Sequence, residues 1–322
     1  MLVVPVKLDI SVRRTAFGFT ASARNRAKVL QVRSQDRSLR SVAVFYVLAF
    51  AVSWSIVIPQ AAASRGLANV QLPAAVGFLS ALAPMLAAVL MSWRVGGTKE
   101  LKRLLRSILA WRVTPLWYAV VLLGFPLLAL VAVVLSSVMT GHRPDLSASY
   151  IHNVFPQFPP NLSPWLLFLP FLIFSIVTTI PEETGWRGFA LPRLQRSWGP
   201  LLASLVVGSL WGLWHLPDFF YLQAVQSGIS FPLFLAGTVS TSILFTWIFN
   251  STSGSLLMVS ILHSSFNAGD VFLPLLPQVT GTTLQLALYL ALITAVAVIL
   301  IVFGRLHLKQ LSDTDPDPHE DH

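Results

Sequence analysis

The chain has no cysteine, which excludes disulfides, thiolate metal sites and a cysteine nucleophile. Charge is nearly as scarce: only 11% of its 322 residues are Asp, Glu, Lys or Arg, against 55% that are hydrophobic. A water-soluble domain carries about a quarter charged residues, so that class is excluded, and the mean hydropathy of +0.70 agrees. Internal repeats are missing, as are paired glycine- or proline-broken helices in two halves, which argues against a transporter built from repeats. There is no H-E-x-x-H helix, the pattern that would make zinc the first choice of chemistry.

What the chain does have is long apolar runs. Eight of them, over 41–60, 74–93, 116–139, 164–191, 200–216, 231–249, 255–269 and 285–304, approach or exceed the ~20 residues that cross a bilayer's hydrocarbon core. The expected fold is all-α, a polytopic membrane helical bundle of about eight transmembrane helices over 41–304. Residues 1–40 hold nine Lys or Arg and no long apolar run. They do not show the basic start, apolar centre and small-residue cleavage pattern of a signal peptide. They read as a poorly ordered cytoplasmic arm or as an over-extended gene start. The acidic stretch 305–322, with "SDTDPDPHEDH", reads as a solvated cytoplasmic tail.

Orientation follows from the basic residues. With the N-terminus inside, twenty of the 22 Lys and Arg fall on the cytoplasmic side, in the arm, the 94–115 loop, the 187–196 segment and the tail; only Arg65 and Arg143 lie opposite. Both termini are therefore expected in the cytoplasm, in a multi-pass protein of a bacterial plasma membrane. Topology and anionic lipid headgroups account for the net charge of +9, with no nucleic acid partner. The segment from Arg94, "RVGGTKELKRLLRSILAWRV", carries leucines and basic residues at helical spacing and is expected to lie along the cytoplasmic interface.

Against this background a few polar residues stand out. Glu182, Glu183, His215 and His263 fall inside or at the edge of apolar runs, with Arg187 one helical turn past the glutamates. Each such group costs about 2.5–3.5 kcal/mol to insert, so several are retained only if they face one another or a wet cavity. The Gly-Pro turn in "QRSWGP", Gln195 to Pro200, marks a hairpin tip. Glu182 and His215 lie about 16 residues to either side of it, roughly 25 Å along each helix. That equal height predicts that they pair. A second hairpin at Asn250 to Ser255 returns a helix carrying "HSSFN", where His263 and Asn267 share a face. Four polar positions on three helices can thus converge.

The chemistry this suggests is hydrolysis. A carboxylate beside a histidine can deprotonate a water for attack on a carbonyl. A second histidine and an amide can donate to the oxyanion. Alternatively, Glu182, His215 and His263 could hold Zn²⁺ with a fourth position for water. Arg187 is expected to pair with Glu183 four residues earlier and fix its rotamer. Taken singly, each residue has a plainer reading: an ion pair locking a helix, a histidine bonded to a backbone carbonyl, Asn267 as interhelical glue. Trp186, Trp211 and Trp214 read as packing or interface anchors, and Asp218 and Asp270 as solvated carboxylates at outer span ends. Only their convergence favours a site.

These residues resemble the motifs of the CPBP family, the CAAX proteases and bacteriocin-processing enzymes also called the Abi family. "EETGWRG" resembles its EExxxR motif, "WGLWH" its FxxxH motif with Trp211 in place of the phenylalanine, and "HSSFN" its HxxxN motif, in the expected order. The resemblance covers about 175–270 by motif. It implies an intramembrane endopeptidase, similar to the enzyme that trims a C-terminal tripeptide after a prenylated cysteine. By it, Glu182 and His215 activate water, His263 and Asn267 form the oxyanion site, and Glu183 and Arg187 support them. The family has been described both as metal-dependent and as glutamate-dependent, which leaves a zinc cofactor open. The substrate it implies is a membrane-presented peptide or protein, lipidated or not. The rival is a non-catalytic immunity or scaffold protein that retains the motifs as polar contacts.

Overall fold

The computed structural model of the chain describes residues 11–70, 74–159 and 161–304; the acidic tail lies outside them. Its helices are α1 (Ser11–Ser64), α2 (Ala74–Ile108), α3 (Pro115–Thr140), the short α4 (Ile151–Val154), α5 (Phe168–Glu183), α6 (Leu191–Trp214), α7 (Phe231–Ser251), α8 (Leu256–Phe272), the short α9 (Pro277–Thr280) and α10 (Leu284–Val302). Among the described residues there is no strand. The fold is an all-α polytopic bundle, and the protein is an integral membrane protein.

Among the described residues, seven helical stretches are long and apolar enough to cross a membrane. One of them, Pro164–Phe220, runs for 57 residues and contains a reversal. Gly199 takes φ 73°, ψ 169° inside α6, a left-handed φ that glycine adopts without the Cβ clash other residues meet. Trp211 on the returning arm reaches Glu182 on the outgoing one at 3.0 Å. Unbroken helix would hold residues 29 apart about 43 Å away from each other. The stretch is therefore a hairpin of two passes, which makes eight in all, and its tip falls in "QRSWGP".

Two of the expected boundaries shift. The arm, expected as poorly ordered chain, is helical from Ser11 and continuous with the first span. The second span does not stop near residue 93. Helix resumes after a break at Gly97 (φ 62°, ψ −150°) and runs to Ile108, so the basic segment is a separate short helix set at an angle. Glu100 on it receives a hydrogen bond from Arg193 at 2.7 Å, and Leu104 is buried close to Gly188, where an added Cβ would lie 2.6 Å from it.

Helix α8 is the most enclosed pass: 67% of its span is buried, with α3, α5 and α7 around it. The outer passes instead show leucine and valine outward, as on α3 at Leu122, Leu127, Leu130 and Val134. Such side chains face lipid at no cost, since lipid tails are as apolar as leucine.

Because burial of apolar surface does not drive association in lipid, helices there need close backbone approach and polar contacts. The returning arm of α6 meets α7 through Gly208 and Gly212, a small-xxx-small pair. A Cβ on Gly208 would lie 2.8 Å from both Ser242 Cβ and Val239 Cα. Ser204 Oγ donates to Thr246 Oγ1 at 2.7 Å, and Ser242 Oγ donates to the Ser204 carbonyl at 2.9 Å. Gly208→Ala is expected to lower the unfolding midpoint in detergent. The gain in helix propensity, up to about 1 kcal/mol, loses to overpacking of about 1–3 kcal/mol, because a backbone atom cannot swing aside. A raised midpoint would contradict this packing.

Candidate active site

The site starts from a disturbed helix. Pro181 has no N–H to give, so the last turn of α5 loses one backbone hydrogen bond. One turn on, Thr184 bends its side chain back, Oγ1 donating to the Ile180 carbonyl at 2.7 Å, which also accepts from Thr184 N. Residues Thr184–Ala190 then form a π-helical turn, a geometry frequently found at functional positions. Gly185 lets this wide turn press against α2: a Cβ there would sit 2.6 Å from Pro84 Cβ and 2.9 Å from its carbonyl oxygen.

Glu183 and Arg187 are fully buried, each at 0% exposure. Arg187 Nη1 lies 3.1 Å from both carboxylate oxygens of Glu183. The guanidinium also lies 4.9 Å from the Trp211 ring centre and 4.7 Å from that of Phe245, where the ring faces help to hold the cation. Glu183 has a second partner across the helix interface. Oε1 lies 2.8 Å from His263 Nδ1, and an ionised Glu183 makes that nitrogen the donor. Glu183 is thus more than half of a helix lock: it ties α5 to α8 and fixes which nitrogen of His263 remains for other work.

The expected pairing of Glu182 with His215 differs in detail. Glu182, half-buried, accepts a hydrogen bond from Trp211 Nε1 at 3.0 Å. Trp211 stands one helical turn before His215, so equal height on the hairpin is present, but the larger indole fills the interface first. Helix α6 ends at Trp214, because the residue before Pro217 resists helical backbone and Pro217 itself cannot continue the ladder. His215 therefore sits at the helix end (φ −78°, ψ −1°), and its Nδ1 meets Asp218 Oδ2 at 2.8 Å. Glu182 is the carboxylate of the group that has neither a cation nor an imidazole bonded to it.

Trp211 is the hub of the arrangement. Its ring centre lies 5.2 Å from that of His263 and 6.2 Å from that of His215, while its N–H holds Glu182. Asn267, one turn past His263, donates to Ser175 Oγ on α5 at 3.4 Å, a long bond that leaves the amide weakly committed. Thr179 and Ser264 bridge the same two helices at 3.1 Å. Glu182, Glu183, Arg187, His215, His263 and Asn267 are thereby assembled from α5, the π-helical turn, α6 and α8.

Among the described residues no three His, Asp or Glu side chains gather as a metal-holding group. Glu182, His215 and His263 are not disposed as a three-ligand set. Each histidine instead has its Nδ1 on a separate carboxylate, and a cation lies against the one serving His263. With Nδ1 of each histidine on a carboxylate, Nε2 is the nitrogen left open on both.

Two contributors are not legible as such in the sequence. Trp211 reads there as packing, yet its N–H is the hydrogen bond that Glu182 receives. Asp218 reads as a solvated end carboxylate; the proline three residues past Trp214, forcing a tight turn between His215 and Asp218, is the available signal. Asp270 also departs from that reading, with Oδ1 enclosed and unpartnered. Trp186 does pack, stacked on Tyr46 with ring centres 5.5 Å apart.

Residues 164–269 match the family described as "Type II CAAX prenyl endopeptidase Rce1-like". Over 115 residues the chain is 29% identical to "CAAX prenyl protease 2" of Methanococcus maripaludis, which covers 33% of this chain and 41% of that protein. The matched family region contains the hairpin, α7 and the polar half of α8, and so every residue of the constellation.

Proposed function

We propose that this chain, whose residues 164–269 match the Rce1-like CAAX prenyl endopeptidase family, is a protease of the CPBP kind that hydrolyses a peptide bond of a membrane-presented peptide or protein. The substrate lies within the bilayer, lipidated or not. The basic loops hold the cytoplasmic face against anionic headgroups, with both termini on that side. The observation that carries the reading is the contrast between the two glutamates. Glu183 has Arg187 and His263 bonded to it, while adjacent Glu182 accepts from Trp211 Nε1 and has neither a cation nor an imidazole bonded to it.

In this reading Glu182, with His215, takes a proton from water as the water oxygen bonds to the substrate carbonyl carbon. The carbonyl oxygen becomes an oxyanion, and His263 and Asn267 donate to it. With Nδ1 committed to Glu183, His263 can donate from Nε2 only when the ring carries both protons. Glu183 facing the ring supports that charge, and Arg187 keeps the whole cluster from becoming net anionic. The carbon–nitrogen bond then breaks as the leaving nitrogen accepts the proton that Glu182 took from the water, which restores the carboxylate. No step is routed through a metal.

Purified protein in liposomes, given a library of membrane-anchored peptides, is expected to cleave a subset of them. His215→Ala and His263→Ala should each abolish cleavage in protein that still folds, with a lowered midpoint for His263→Ala because it takes a partner from buried Glu183, and exhaustive chelation should leave the wild-type rate unchanged. Stoichiometric zinc that is lost together with activity would overturn the metal-free version. Wild-type protein that cleaves nothing, with both variants retaining full cellular function, would favour the scaffold alternative.

A further inference from the structure

We infer that Asp218 is the positioning residue for His215, and that the turn joining them is built to hold that pair. The inference rests on the hydrolytic reading of the site and adds a member that the three motifs do not contain.

The turn is over-determined. Leu216–Phe220 is 3-10 helix, a geometry in which side chains three apart eclipse, so His215 and Asp218 stand one over the other. The backbone closes it, Asp218 N donating to the His215 carbonyl at 2.9 Å. The first helix and the residue that follows it then clamp both ends. Trp54 Nε1 donates to the Trp214 carbonyl at 2.9 Å, and Arg65 Nε donates to the Phe220 carbonyl at 2.6 Å. Phe234 packs edge-on against His215 with ring centres 5.4 Å apart, and Trp214 does so at 4.7 Å. The imidazole is thus confined by two aromatic rings and tethered by one carboxylate. Its side chain is 14% exposed and that of Asp218 23%, so water competes only weakly for the bond.

The consequence is a choice of tautomer. An ionised Asp218 accepts from Nδ1–H, which leaves the Nε2 lone pair as the basic position of His215. As Glu182 takes the proton from the attacking water, Nε2 accepts the hydrogen bond that aligns that water, and any positive charge developing on the ring faces a carboxylate already in place. The same logic orients His263 through Glu183, so both histidines of the site present Nε2 and both are held at Nδ1. Asp218 touches neither water nor substrate in this scheme and acts through His215 alone.

The test is Asp218→Asn, whose amide can donate to Nδ1 and so favour the opposite tautomer. Loss of the correct tautomer lowers kcat by up to ~10⁴-fold in the best-known His–Asp pair. With a partly exposed pair, a fall of ~10²-fold in kcat with KM within ~3-fold is expected here. Asp218→Glu should restore part of the rate. Nitrogen NMR of ¹⁵N-histidine-labelled protein in detergent, with His215 assigned by its own substitution, should show a protonated Nδ1 in the wild type and a mixed or reversed pattern in Asp218→Asn. Unchanged kcat in Asp218→Asn, or a lost rate with an unchanged His215 spectrum, would overturn the inference. The spectral arm needs no turnover, so it stands or falls separately from the protease reading, which fails instead if wild-type protein cleaves no peptide.

Discussion

Glu182→Gln is expected to slow peptide cleavage by at least ~10³-fold, the upper part of the range that a positioned acid–base group supplies. The substitution keeps the shape of the side chain, and the amide oxygen can still accept from Trp211 Nε1, whose bond to Glu182 is 3.0 Å long. Packing around Trp211 should therefore survive, and the unfolding midpoint should move little. What is lost is the ability to take a proton. Glu183→Gln cannot substitute for this test, because Glu183 is enclosed with both oxygens on Arg187. A rate within ~10-fold of wild type for Glu182→Gln would remove Glu182 from the chemistry.

Arg187→Met carries the largest expected effect on stability. Both members of the Arg187–Glu183 pair are at 0% exposure, and removing one partner of a buried pair costs about 3–5 kcal/mol, since the remaining charge is stranded. Replacing both members can be close to neutral. Glu183→Gln combined with Arg187→Met should thus recover most of the lost midpoint, because the new amide oxygen can still accept from His263 Nδ1. Thermal unfolding of the single and double variants in detergent checks this. Equal losses in both would mean that the pair is not the unit of stability. Activity should not recover alongside stability, because a neutral amide in place of the carboxylate no longer supports a doubly protonated His263.

Much of this arrangement can be read from the sequence because bilayers limit the options. Runs of about 20 apolar residues must be helices, and a Gly-Pro pair just after two arginines marks a tip, so the height of Glu182 against His215 follows from counting to within about a turn. The partners do not. Counting along two helices fixes height only to about a turn: Trp211 and His215, four apart, share a face and differ by about 6 Å along the axis, and the longer indole is the one that reaches Glu182. The link from Glu183 to His263 joins helices 80 residues apart, and no local pattern announces it. Asp218 looks like any carboxylate at a span end; only the tight turn forced by Pro217 turns it onto His215. The angled segment after Gly97 is legible in its charge pattern, whereas its anchoring by Arg193 to Glu100 is not.

The central claim is that water, activated at Glu182, cleaves a peptide bond inside the membrane. The most direct measurement is mass spectrometry of the products formed by wild-type protein in liposomes in H₂¹⁸O. The account predicts a single cut per substrate, one ¹⁸O in the new carboxylate, and no product with Glu182→Gln. Folded wild-type protein that leaves every membrane-presented peptide intact, or a Glu182→Gln variant that forms the same labelled product at the wild-type rate, would contradict it.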